Sequence, residues 1–166
     1  MKVGDKFPLD TLLLNTEGET KLLSDLISLP CVIYFYPKDM TPGCTDEACS
    51  IRDVSDEIRS LGYFVCGISS DDQNSHKKFI QKYTLNFPLF SDLDQSLQKK
   101  VGVWVEKSMY GKKYMGTMRS TFVLDKAGTV IATWGDDELC SQGKVLTKTH
   151  GEQLLSYLKE VSATSI

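Results

Sequence analysis

Short apolar runs recur along the chain, each bounded by turn residues: Cys31 to Pro37, Tyr63 to Ser70, Phe87 to Asp92, Ser120 to Asp125 and Thr129 to Trp134. They are rich in β-branched and aromatic residues and continuous rather than alternating, the pattern of strands covered on both faces. Between them the period changes. From Cys44 to Gly62 apolar residues fall at Ala48, Ile51, Val54, Ile58 and Leu61, close to a 3/4 repeat that predicts a helix ending at Gly62. Shorter amphipathic helices are predicted from Asp72 to Tyr83 and from Gly151 to Val161. Asn15 to Thr20 and Asp125 to Gly128 have hairpin-turn composition. The order is hairpin, strand, helix, strand, helix, strand, short helix, strand pair, helix. It predicts an α/β fold with a central mixed β-sheet flanked by helices. The last residues, Ser162 to Ile166, read as a frayed end.

With 166 residues, 41% of them hydrophobic, the whole chain is expected to form one domain that buries roughly two-thirds of its unfolded surface. The net charge of -3 and the scattered lysines argue against a nucleic-acid partner. No apolar run approaches the ~20 residues needed to cross a bilayer, and the first ten residues lack a signal-peptide pattern, so no membrane partner and a cytoplasmic location are expected. There the five cysteines, an odd set, do not suit a structural disulfide framework. A cysteine that matters here should matter as a thiol.

Thr41-Pro42-Gly43-Cys44 has the grammar of a helix start, with Thr41 as N-cap, Pro42 at the first helical position and the acidic Asp46 and Glu47 read into the first turn. Cys44 then sits third in the helix, where free backbone N–H groups and the helix dipole favour an anion. Taking a thiol from an ordinary pKa near ~8.5 down to about 6 requires roughly 3.4 kcal/mol. The dipole supplies ~1 to 2 kcal/mol of that and the two acidic residues oppose it. The site therefore needs a cation, and an arginine suits it better than Lys38 because it stays charged when half buried. Cys49 lies five positions further on, about 8 to 9 Å from Cys44 between Cα atoms on an ideal helix. Disulfides rarely form beyond ~7 Å, so bonding the pair would require the first turns to unwind. Cys31 and Cys66, inside strand runs, read as small buried apolar residues.

The string from Phe35 to Asp53, FYPKDMTPGCTDEACSIRD, contains Pro-x-x-x-Thr-x-x-Cys and resembles the active-site signature of the peroxiredoxins. With WVEKSMYGKKYMGTMRSTFVLDKAG at 104 to 128, it is most similar in pattern to the bacterioferritin-comigratory-protein, or PrxQ, subfamily. The likeness extends from Val3 to Trp134, about four-fifths of the chain. It implies a thioredoxin-like fold and a thiol peroxidase that needs no cofactor or metal. On that resemblance Cys44 would attack the peroxide, and Arg119 would be the required cation. Thr41 would hydrogen-bond the substrate or sulfur, and Pro37 would shield the site. Backbone N–H groups at Gly43 and Cys44 would complete a pocket for the peroxide, with Glu47 orienting Arg119. Cys49 would resolve the Cys44 sulfenic acid as a disulfide, recycled by thioredoxin. Subfamily members are often monomers, with a dimer as the other option.

Several residues fall outside that pattern. Gly135 to Gly143, GDDELCSQG, reads as an inserted acidic loop carrying Cys140, a variable surface loop or else a second resolving cysteine. His76 and His150 lie far from any Cys/His metal spacing and read as surface residues. Trp104 and Trp134 are expected to pack against or rim the pocket. Two other functions compete. A general thiol-disulfide oxidoreductase is disfavoured because no C-x-x-C is present. A non-catalytic redox sensor or holdase, switching through a Cys44–Cys49 disulfide, fits the same residues.

Overall fold

A computed structural model describes residues 1–164. The first hairpin joins β1 (Leu12–Leu14) to β2 (Thr20–Leu22). Gly18 turns it at φ +83°, a conformation that suits glycine. A single helical turn, α1 (Leu23–Leu26), leads to β3 (Cys31–Phe35), α2 (Pro42–Ser60), β4 (Phe64–Ser69) and α3 (Gln73–Tyr83). Then come β5 (Leu89–Ser91), α4 (Ser96–Val101), β6 (Trp104–Met109), β7 (Lys112–Thr117), β8 (Ser120–Leu124), β9 (Val130–Gly135) and α5 (His150–Thr164).

Seven strands form one sheet in the order β2-β1-β5-β4-β3-β8-β9. It is mixed, as expected. β3 runs parallel to β4 and antiparallel to β8, and β4 runs parallel to β5. Alternation along β3 divides the core between two faces. Val32, Tyr34 and the following Tyr36 pack with α2, α3 and α5, together with Cys44, Ile51, Phe79 and Leu154. Cys31, Ile33 and Phe35 turn to the other face, with Phe7, Leu97 and Phe122. Cys31 and Cys66 are fully buried there, as their strand positions predicted. Burial pushes the Cys31 thiol up to about 12 and Cys66 well above its ordinary value, which leaves both unreactive.

The pairing of Phe35 with Ser120 brings the residue before β8, Arg119, beside the end of β3. The chain leaves β3 through a turn in which Met40 is left-handed, φ 68°, and enters α2. Antiparallel to nothing in the main sheet, β6 and β7 pair only with each other. Their side chains are mostly exposed, so neither strand carries an apolar face. That absence of a buried stripe is why the hydrophobic pattern did not mark them as strands.

α5 lies against α2 at a very close approach. The Gly151 N–H donates to Ser50 Oγ at 2.8 Å, and a Cβ on Gly151 would lie 2.1 Å from the Ser50 carbonyl oxygen. Only glycine fits. α5 runs on to Thr164, through most of the segment expected to fray, while residues 165 and 166 lie outside the described ones. Among the described residues no helix is long and apolar enough to cross a membrane.

Candidate active site

Pro42 opens α2 and places Cys44 at its third position, 1% exposed, between the sheet and the segment preceding β8. Arg119 reaches it from across the sheet. Nη2 donates to Cys44 Sγ at 3.4 Å, and Nη1 donates to Glu47 Oε1 at 2.5 Å. The guanidinium is thus fixed by a carboxylate one helical turn beyond the sulfur, a planar two-pronged arrangement that lysine cannot reproduce. Gly43 makes room for it: a Cβ there would lie 3.3 Å from Nη2. Lys38, the competing cation, stands exposed in the loop.

Two expectations about the helix start require correction. Thr41 occupies the N-cap position, but its side chain does not cap; Oγ1 donates to the Lys38 carbonyl at 2.8 Å. Asp46 and Glu47 lie beyond the first turn, because counting begins at Pro42. Glu47 therefore does not face the free N–H groups. It is completely buried, and burial pushes its carboxyl up to about 7 against the opposing pull of Arg119.

Cys49 lies half-buried on the same helix, and all five cysteines are free thiols. With both residues in regular helix, the Cα separation is about the 8 to 9 Å of ideal geometry. Pro37 lines a cleft of about 300 Å³ with Trp104, Lys107 and Thr117. Lys107 and Arg119 line a second cleft of about 390 Å³, with Val105, Met118 and Asp136.

This geometry, a buried cysteine at a helix start held by an arginine and a carboxylate, sits in a chain whose residues 3–133 match the AhpC/TSA family. Peroxiredoxin Bcp of Bacillus subtilis is 42% identical over 162 residues, covering 98% of each chain. Its Escherichia coli counterpart is 39% identical over 160 residues, 96% of this chain and 97% of that one. The solved structure of the Xanthomonas campestris bacterioferritin comigratory protein superposes with a TM-score of 0.82 at 33% identity, over 98% of this chain and 99% of that one. The chain is a peroxiredoxin. It belongs to the Bcp/PrxQ group, with a thioredoxin-like fold, and is an enzyme, a thiol peroxidase acting on peroxides.

Both histidines of this peroxiredoxin were expected at the surface, and both are buried at 0% exposure. His76, on α3, faces acceptors with both ring nitrogens, Asp39 Oδ2 at 2.8 Å and the Phe90 carbonyl at 3.2 Å. Asp39 also accepts from the Tyr36 hydroxyl at 2.5 Å and the Ser75 hydroxyl at 2.7 Å, while its N–H donates to Asp71 at 2.8 Å. This network ties the loop leading into Cys44 to α3. His150, the first residue of α5, lies behind Glu47. The side-chain amide of Gln153 donates to the Lys144 carbonyl, so its oxygen accepts from His150 Nδ1 at 2.7 Å. Nε2 then accepts from the Thr121 hydroxyl at 2.7 Å. Burial lowers the His150 pKa to about 4, against the Gln153 bond, so the ring is neutral.

Lys107 was also missed. Burial and Arg119 lower its pKa, with Cys44 acting the other way, so its ammonium belongs to the same electrostatic neighbourhood. Its only sequence signal was a place in the family-like string of the polar β6–β7 hairpin. His150 had a better one: the glutamine three residues on, within reach of the ring on a helix. Trp134 packs edge-on to His150 with ring centroids 5.7 Å apart, and Trp104 rims the cleft beside Pro37, both as expected. Cys140 is half-buried where the loop after β9 folds back; a Cβ on Gly135 would lie 2.9 Å from its sulfur.

Proposed function

We propose that Cys44 is the thiol that reduces the peroxide, both hydrogen peroxide and organic hydroperoxides. The observation that carries this is the Arg119 guanidinium, which donates to Cys44 Sγ at 3.4 Å while anchored on Glu47. It stabilises negative charge on the sulfur, and then on the peroxide oxygens as the O–O bond breaks. The free N–H groups of Gly43 and Cys44 add to that field. Thr41 has its own proton committed to the Lys38 carbonyl, so its oxygen is left to accept from the peroxide hydroxyl. Pro37, on the cleft wall, keeps water from the sulfur.

Cys49 resolves the resulting Cys44 sulfenic acid as an intramolecular disulfide. The separation of about 8 to 9 Å along an intact helix makes local unwinding of α2 part of this step. Pro42, Gly43 and Thr45 weaken that end of the helix, and the unwound segment exposes the disulfide to thioredoxin. The protein works as a monomer in the cytoplasm, where thioredoxin keeps it reduced.

The test is peroxide consumption with thioredoxin, thioredoxin reductase and NADPH. Wild type should turn over and Cys44→Ser should not. Cys49→Ser should react once and accumulate sulfenic acid. Normal turnover by Cys49→Ser would overturn the resolving role, and a wild type that oxidises once and stalls would favour the redox-sensor function.

A further inference from the structure

Behind the sulfur, one guanidinium serves two groups that can each carry negative charge. Arg119 bridges Cys44 Sγ and Glu47 Oε1. The other carboxyl oxygen, Glu47 Oε2, is fully buried and has no hydrogen-bond partner among the described residues. His150 Nε2 approaches it to 4.0 Å, beyond hydrogen-bond reach. That nitrogen presents a lone pair already engaged by Thr121, so it offers the carboxylate no proton. From β3, the buried Tyr34 hydroxyl also has no hydrogen-bond partner among the described residues and feels both Glu47 and Cys44. Lys107, on β6, is the further cation acting on Cys44 and Arg119. An ionised Glu47 beside an ionised Cys44 would leave a buried oxygen unsolvated and divide one guanidinium between two anions.

Building on the assignment of Cys44 as the reacting thiol, we propose that Cys44 and Glu47 ionise in alternation across Arg119. Glu47 keeps a proton on Oε2 while the sulfur is a thiolate, and ionises once the sulfur has been oxidised. The bookkeeping of atoms closes. The thiolate forms an S–O bond to the terminal oxygen of ROOH, the O–O bond breaks, and its electron pair leaves as RO⁻. Sulfur is oxidised by two electrons and the peroxide reduced by two. RO⁻ takes a proton from water in the cleft, and Glu47 returns one. The charge of the buried cluster stays constant as sulfur passes from thiolate to neutral sulfenic acid, and Arg119, freed of one anion, closes on the other. Burial already holds the Glu47 carboxyl near 7, well placed for such an exchange. Glu47 is in this sense a positioning residue that also stores charge.

The experiment uses full-length Cys49→Ser protein, in which oxidation stops at the sulfenic acid and α2 has no disulfide to unwind it. Near neutral pH, infrared difference spectra are recorded before and after one equivalent of hydrogen peroxide. Mass spectrometry establishes that Cys44 gained one oxygen; if it did not, the failure lies with the assignment of Cys44 and not with the alternation. Oxidation should remove a protonated-carboxyl carbonyl band, and that band should be missing when Glu47→Gln is added. A pH indicator in weak buffer should show almost no net proton uptake per peroxide consumed by Cys49→Ser, a measurement that does not depend on the Glu47 variant folding. Oxidised sulfur with no change in carboxyl bands, a band that survives Glu47→Gln, or uptake of a full proton per peroxide would each overturn the proposal.

Discussion

Two buried histidine–carboxylate pairs flank the start of α2, and they are built to opposite standards. At His76 and Asp39 the carboxylate accepts from Tyr36, Ser75 and the histidine, and the second ring nitrogen meets the Phe90 carbonyl. At His150 and Glu47 the two side chains stop 4.0 Å apart, and one carboxylate oxygen has no partner among the described residues. The first arrangement holds the loop 36–41 in one geometry, including the left-handed Met40. The second leaves a carboxyl group free to change its charge. A satisfied buried network makes rigidity, and a partly satisfied one makes a site that responds to charge.

The contrast can be broken most severely at Asp39. Asp39→Ala strands three donors in the interior and should cost about 3 to 5 kcal/mol, read as a lowered urea midpoint. Arg119→Met should do the reverse. It should lower kcat/KM for hydrogen peroxide by roughly 10² to 10³ yet cost stability only on the order of 1 kcal/mol, because Glu47 can take up a proton. Smaller and more specific is the effect of pH. Glu47, raised to about 7 from an ordinary 4.5, binds a proton in the folded chain that the unfolded chain has lost, so its contribution to stability falls as pH rises through that window. His150, lowered to about 4 from 6.5, does the opposite, and its contribution is lost as pH falls from 6.5 towards 4. Between about 4.5 and 6.5 the two slopes cancel in wild type. Glu47→Gln should expose the histidine slope, up to ~3 kcal/mol across the window, in urea titrations at several pH values. Parallel curves for variant and wild type would remove the distinction between the two pairs. Smallest of all, Cys140→Ser should leave peroxide turnover unchanged, since Cys140 packs against Gly135 at the end of β9 while Arg119 donates to Cys44 and Glu47.

β3, β4, β5, β8 and β9 were legible because they are buried on both faces, and the hairpin turns because they carry glycine at positive φ, as at Gly18 and Gly128. Cys44 and its need for a cation followed from the helix-start grammar. Arg119 itself came from family resemblance, because a partner 75 positions away leaves no periodic trace. His76 was invisible for the same reason, whereas His150 had its one local signal in Gln153. A buried polar residue is recognised by its partners, and Asp39 and Phe90 approach His76 only through the fold. Thr41 misled in the other direction: an N-cap position does not oblige its hydroxyl to cap when the Lys38 carbonyl is closer to hand.

Gly151 would give the unwinding proposed for α2 a fixed travel. Where α5 rests against the Ser50 backbone without space for a methyl group, α2 can be peeled back only as far as that contact before the last helix must lift as well. Both Cys44 and Cys49 lie on the peelable side of this stop. In the proposed resolving step the segment would work like a short tongue on a rigid frame, presenting the bond to its reductant on the same strip of chain. On the mechanism proposed for Cys44 and Cys49, each cycle would ask the protein to unmake two turns of one helix and leave the frame behind them standing.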